Sequence, residues 1–227
     1  VGSGQVVAED NTINGLYQFI DSAGGANSRL LTAVNVTGDG SQSVYYLAGS
    51  TWTATLTGDT AGLKTRFTAF LDRVVRVNGT DAPKSWDGDT ANAWLTTGGP
   101  LDVGNMPTGS LVIVYKDQLC VAGISGRPDD LDISSVVNTA GTAISWTSGN
   151  RRIRFNPEDS SNITGLGVIN GLLIVFKRFA MYTFNNAATQ ADPLYRVGCS
   201  SHESIAAADD TLFFFNQNGI YMTNGGK

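Results

Sequence analysis

The chain has 227 residues, 41% of them hydrophobic, enough for a sizeable core and too apolar for a disordered linker. Its formal net charge of −5 excludes a surface built to wrap nucleic acid or to dock on an anionic membrane, although a protein that lines a path for DNA without gripping it would also be acidic. Its two cysteines, Cys120 and Cys199, are too few for a disulfide framework or a thiolate metal site and are expected to be buried free thiols. No run approaches the roughly 18 apolar residues of a membrane helix, and "VGSGQVVAED" lacks the charged start and apolar middle of a signal peptide. A start without Met and a stop at "TNGGK" straight after a strand-like run suggest a piece of something longer or a processed product.

The 27 glycines and the abundance of Thr, Val, Ser and Asn favour short strands joined by turns over helices. In chain order, a first unit (13–58) combines "GLYQFIDSAGGANSRLLTAVN" with "SVYYLAGSTWTATLTG". A second (63–98) opens on "FTAFLDRVVRVNG", turning at Leu71-Asp72, and continues through "KSWDGDT", where Trp86 is expected on a third strand and Asp87-Gly88 in the turn after it. A third (109–150) contains "LVIVYKDQLCVAGI", turning at Lys116-Asp117. After it, the stretch 129–165 reads as an insertion with extra strands around Ala143–Trp146 and Ile153–Phe155 and a loop at "NPEDSSN".

The fourth (163–200) and fifth (201–227) units carry the clearest internal repeat. "GLGVINGLLIVFKRFAMYTFNN" and "SIAAADDTLFFFNQNGIYMTNG" align without a gap at an offset of 39 residues, setting Leu173 on Leu212, Phe176 on Phe215, Tyr182 on Tyr221 and Asn185 on Asn224. Each has a polar two-residue turn, Asn170-Gly171 or Asp209-Asp210, between apolar strands, and Asn-Gly there is a strong hairpin signal. The runs Leu172–Phe176 and Leu212–Phe215 are expected to be inner strands covered on both faces. Trp86 is aligned with the third-strand aromatics Tyr182 and Tyr221. A repeat of this length with three or four short strands reads as an all-β, propeller-like array of about five antiparallel units, because one such sheet buries its faces only by stacking on neighbours. A β-sandwich with coincidental self-similarity is the alternative.

Candidate chemistry is sparse. His202 is the only histidine, which excludes a two-His zinc motif; with Cys199, Ser200 and Ser201 beside it a triad is formally possible, but no G-x-S-x-G elbow exists and an inter-blade loop histidine is expected. Carboxylate groups at Asp129-Asp130-Asp132, Glu158-Asp159 and Asp209-Asp210 could serve a glycosidase, yet carboxylates in turns usually accept backbone N–H groups. Asp87-Gly88-Asp89 and Asp39-Gly40 resemble fragments of calcium loops without a closing Glu, so they read as turns. Arg151, Arg152 and Arg154 form the one basic cluster; alternation puts Arg152 and Arg154 on one strand face, where they could contact a phosphate or a neighbouring subunit, or simply be solvated. Trp52, Trp86, Trp94 and Trp146 could stack on sugars in a carbohydrate-binding propeller or serve as packing anchors. No catalytic, cofactor-binding or metal-ligating residue is assigned, and Trp86, Phe176, Tyr182, Phe215 and Tyr221 are taken as structural positions of the units.

The segments "VNGTDAPKSWDGDT", "LVIVYKDQLCVAGISGRPDDLDISS", "ITGLGVINGLLIVFKRFAMYTF" and "CSSHESIAAADDTLFFFNQNGIYMTNGG", in that order over about residues 13–226, resemble tailed-bacteriophage virion proteins. The likeness is to β-propeller structural proteins of phage tails, including the tail-hub or nozzle and DNA-stabilisation proteins of short-tailed phages. It implies a non-enzymatic role: rings below the portal that extend or close the DNA channel, built from copies of the chain and other tail or portal-proximal proteins. It also implies synthesis in the bacterial cytoplasm, residence in the virion tail and transient contact with passing DNA, with no membrane partner. The acidic balance suits such a path, since a Lys/Arg grip on phosphate would retard passage. The chain is shorter than the nozzle proteins of that kind and carries no obvious membrane or adhesin module.

Overall fold

A computed structural model describes residues 12–22, 25–36, 38, 40–155, 161–184 and 193–226. These residues form an all-β structure of five antiparallel sheets in chain order, with no α-helix among them. Sheet 1 holds β1 (Ile13–Phe19), β2 (Arg29–Asn35), β3 (Ser41–Ala48) and β4 (Thr51–Thr60); sheet 2 holds β5 (Arg66–Phe70), β6 (Arg73–Val77) and β7 (Lys84–Trp86). Sheet 3 holds β8 (Leu111–Tyr115), β9 (Gln118–Ala122), β10 (Asp130–Ile133) and β11 (Arg151–Arg154). Sheet 4 holds β12 (Ile163–Ile169), β13 (Leu172–Lys177), β14 (Met181–Phe184) and β15 (Pro193–Tyr195), and sheet 5 holds β16 (Ala206–Ala208), β17 (Thr211–Asn216) and β18 (Gly219–Thr223). Every pairing is between strands consecutive in sequence, so each sheet is a simple meander.

The four expected hairpin turns are present. Leu71-Asp72, Lys116-Asp117 and Asn170-Gly171 hold both residues at positive φ, and Asp209 has φ +50. Two successive left-handed residues match the twist of the flanking strands, so even Leu71 and Lys116 adopt them.

These turns set a common register. The second and fourth residues after each turn face the preceding sheet, and the third and fifth face the following one, because side chains alternate along a strand. Thus Val74 packs with Phe19, Leu31, Ala33 and Val44 of sheet 1, whereas Val75 and Val77 pack with Val112, Leu119 and Val121 of sheet 3. Cys120 and Ala122 then meet Leu166, Leu173 and Val175 of sheet 4. Ile174 and Phe176 in turn meet Leu212 and Phe214 of sheet 5, with the Phe176 and Phe214 rings 4.9 Å apart. Four apolar cores therefore lie between five successive sheets, a propeller-like stack rather than one slab.

Buried ion pairs cross two of these joints. Arg76 of β6, fully buried, meets Asp59 of β4 at 2.5 Å, and Lys84 reaches the same carboxylate at 3.1 Å. Lys177, likewise buried, meets Asp129 at 2.8 Å. Such pairs hold the two sheets in one relative position, since losing a partner strands a charge away from water.

Several expectations need correction. Strand β13 is covered on both faces, but β17 is not: Phe213 and Phe215 are 37% and 46% exposed, and no sheet among the described residues lies over them. Trp86 pairs with Val74, the second residue after its turn, as Phe184 pairs with Leu173; Tyr182 and Tyr221 pair with the fourth, Val175 and Phe214. Trp86 is thus the counterpart of Phe184, one pleat away from the expected position, and Lys84 opposite Arg76 holds the place of the tyrosines. The stretch after residue 129 is not simply an insertion, since β10 and β11 complete sheet 3, which runs to Arg154 instead of ending at 150. Ala143–Trp146 is not a strand. Its backbone bonds to loops (Ser135 N–H to Ser145 O, Ile144 N–H to Pro100 O), and Trp146 plugs the core between sheets 2 and 3 with its indole N–H on Leu101 O.

Candidate functional site

The first strands of neighbouring sheets lie close together, β1 beside β5, β5 beside β8 and β8 beside β12. Residues 13–17 of β1, Arg66 and Phe67 of β5, and Val112 of β8 line an open cavity of about 380 Å³, together with His202 and Glu203 from the connection between sheets 4 and 5. Gly15 makes the approach possible, since a Cβ there would stand 2.3 Å from the Thr65 carbonyl oxygen.

Arg66 organises this cavity. One guanidinium nitrogen donates to Ser110 O at 2.7 Å, and another forms an ion pair with Glu203, so a single side chain ties sheet 2 to the entry of sheet 5. The second Glu203 oxygen accepts the Ser201 hydroxyl at 2.6 Å. Burial opposes ionisation of Glu203, but the Ser201 hydroxyl, a backbone N–H and the Arg66 charge outweigh it and hold the carboxyl down at about 2. His202 lies in the 3₁₀ turn His202–Ser204, where its Nδ1 accepts the Leu166 N–H at 3.3 Å. Burial, and secondarily the Arg66 charge, lower its pKa and favour the neutral ring, with Glu203 working the other way. The histidine is therefore committed to joining sheets 4 and 5, as expected of an inter-blade loop. Cys199, buried, contacts Ser201 O and the Ser204 hydroxyl instead. Cys120 is the other buried free thiol, pushed up to about 12 by burial against the opposing Arg151 charge.

The "KSWDGDT" stretch is a corner, not an ion loop. The Trp86 indole N–H donates to Asp89 O and Asn92 O at 2.9 Å each, Asp87 accepts the Asp89 N–H and the Asn92 amide, and Asp89 accepts the Ala91 N–H. Gly88 has φ +81, and a Cβ there would fall 2.1 Å from Asn27 O of sheet 1, so only glycine fits the seam. Asp39, Glu158, Asp159 and Asn185 lie outside the described residues. Among those described, no group of three or more His, Cys, Asp and Glu side chains is placed to hold a metal ion, and no helix is long and apolar enough to cross a membrane.

The basic cluster lies on β11, the edge strand of sheet 3 farthest from β8 and the cavity. Arg152 and Arg154 share a face, as alternation requires, and sit directly opposite Asp132 and Asp130. They bond to them at 2.8 and 3.0 Å, and Arg127 adds a third cation to the same two carboxylates. Arg151 faces the other way, its guanidinium 5.7 Å from the Phe184 ring. The sequence shows the arginines but not Asp130 and Asp132 as their partners, since that pairing depends on register. Of the four tryptophans, Trp86, Trp94 and Trp146 are core residues, Trp86 and Trp94 being stacked with centroids 5.6 Å apart; only Trp52 is partly open.

No protein-family model matches the chain, and no curated protein does. Among solved structures, the chain is similar to the extracellular domain of the proposed one-component system BT4673 from B. thetaiotaomicron, with a TM-score of 0.55 and 14% identity over 92% of this chain and 27% of that one. It spans about a quarter of that protein's length, and the likeness bears on the fold alone. Weaker similarities are to the computationally designed Ika4 protein (TM-score 0.43, 10% identity, 72% of this chain and 93% of that) and to PorZ, a surface component of the type-IX secretion system of Porphyromonas gingivalis (0.40, 12%, 98% and 34%).

Proposed function

We propose that the chain is a non-enzymatic structural component of a bacteriophage virion, at the tail hub or nozzle of the head–tail region, where it lines or closes the DNA channel and joins subunits. The observation that carries this reading is the open apolar face of sheet 5, where Phe213, Phe215, Ile220 and Met222 stand side by side and exposed. An apolar face of this kind on a folded chain favours a protein partner. The order of the resembling motifs supplies the virion, and the charge pattern agrees with a DNA path. The net charge is −5, and two of the three arginines on β11, Arg152 and Arg154, are paired with Asp132 and Asp130, which lessens their pull on phosphate. The side chains around His202 hold sheets together, and three of the four tryptophans that could have met a sugar are inside the cores.

The test is to purify particles from infected cells and locate the chain by mass spectrometry and antibody-gold electron microscopy. The reading expects it in the tail, in several copies per particle. Recovery solely as free protein, with tails lacking it, would overturn the proposal.

A further inference from the structure

The pairing of Arg152 and Arg154 with Asp132 and Asp130 lowers the charge felt at a distance, but it also fixes two guanidinium groups in place. Each arginine is held by its Nε: Arg152 Nε donates to Asp132 Oδ1 at 2.8 Å, and Arg154 Nε to Asp130 Oδ1 at 3.0 Å. The Nη1 and Nη2 groups of both make no hydrogen bond among the described residues, and the two side chains are 57% and 61% exposed. Each arginine therefore keeps an open two-nitrogen fork.

The carboxylates that hold them are themselves fixed. Asp130 and Asp132 are buried on β10, and Arg127 closes on Asp132 with both end nitrogens, Nη1 to Oδ1 at 3.2 Å and Nη2 to Oδ2 at 2.8 Å. Arg127 is thus spent as a clamp, and the other two arginines are positioned with their forks free. Alternation sets Arg152 and Arg154 two residues apart on one face of β11, about 7 Å along the strand, a gap that one tetrahedral oxyanion can bridge with N–H···O bonds from both sides. Three guanidinium groups against two carboxylates leave one net positive charge. One fork saturates a planar carboxylate, so two forks match a group with three free oxygens.

We infer that Arg152 and Arg154 form an oxyanion site at the outer edge of sheet 3, which takes a terminal phosphate or sulfate group with three free oxygens and discriminates against the diester of a nucleic-acid backbone, which has two. Asp132 is a positioning residue that acts through Arg152. The site is separate from the cavity beside the first strands and does not depend on the assembly role proposed above.

Titration of the full chain at constant ionic strength with inorganic phosphate, sulfate, dimethyl phosphate and acetate, followed by the arginine Nε–Hε nuclear magnetic resonance signals, tests it. Phosphate and sulfate should shift the Arg152 and Arg154 signals to saturation and bind about fivefold more tightly than dimethyl phosphate and acetate. A phosphoserine peptide beside inorganic phosphate separates the sources: tighter binding of the peptide marks a phosphorylated partner, tighter binding of the free ion marks phosphate itself, and either supports the site. Arg152→Lys keeps the charge and loses the fork, so it should weaken phosphate binding about fivefold. Asp132→Asn adds net positive charge yet releases Arg152, and should also weaken it, whereas a patch acting through charge alone would bind more tightly. Near-ultraviolet circular dichroism checks that both variants fold, and Arg152→Lys, at an exposed position, decides if Asp132→Asn does not. Shifts that never saturate, an adventitious ion only, overturn the inference. So do equal affinity for dimethyl phosphate, unchanged binding by Arg152→Lys, or tighter binding by Asp132→Asn.

Discussion

At the scale of the residue, equivalent positions carry unequal weight because neighbours decide burial. Phe176 and Phe215 occupy the same place in the repeat, yet one is sealed between sheets 4 and 5 and the other is open. Phe176→Ala is expected to cost about 3–5 kcal/mol, the transfer and cavity terms of a buried aromatic. Phe215→Ser, measured on the dilute monomer, should stay within about 0.5 kcal/mol of the parent. Urea denaturation of the two variants checks this; a large loss for Phe215→Ser would mean that sheet 5 is covered within the chain. Trp86 makes the complementary point. Its identity as an anchor is legible from an aromatic at the end of a short strand, but its register is not, because the six residues from Asn78 to Pro83 delay the entry of β7.

At the scale of the element, the connection carrying His202 and Glu203 works as a clasp between sheets 2, 4 and 5. Its titration has a definite sign. The folded-state pKa of His202 lies below the ordinary value of 6.5, so the unfolded chain binds the extra proton first and acidification below about 6.5 destabilises the fold. Glu203 is held at about 2 against the ordinary value of 4.5, so its contribution is present above 4.5 and lost as pH falls toward 2. Unfolding free energy should therefore decline through both windows. Glu203→Gln should flatten only the lower one, costing no more than about 1 kcal/mol near neutrality because the pair is partly solvated. An unchanged slope below pH 4.5 in that variant would show that the clasp does not hold the charge.

At the scale of the whole molecule, stability is close to one-dimensional, since each sheet is buried by its neighbours in the chain. Sheets 2, 3 and 4 have a core on both faces, whereas sheet 5 has one. Amide exchange should then be slowest in β6, β9 and β13 and fastest in β16 to β18, with opening free energies that fall toward the end of the array. Uniform protection across all five sheets would indicate a fully cooperative unit and contradict this order. The all-β class, the four two-residue turns and the succession of units were legible in the sequence, because alternation and turn chemistry are local consequences of side-chain size and backbone φ. What only the tertiary structure decided is which faces meet: that Asp130 and Asp132 stand opposite Arg154 and Arg152, that β10 and β11 belong to sheet 3, that Ala143–Trp146 is a plug, and that Phe213 and Phe215 remain uncovered. Those outcomes depend on contacts between residues far apart in the chain, where burial is set by the neighbouring sheet and not by the residue's own apolarity.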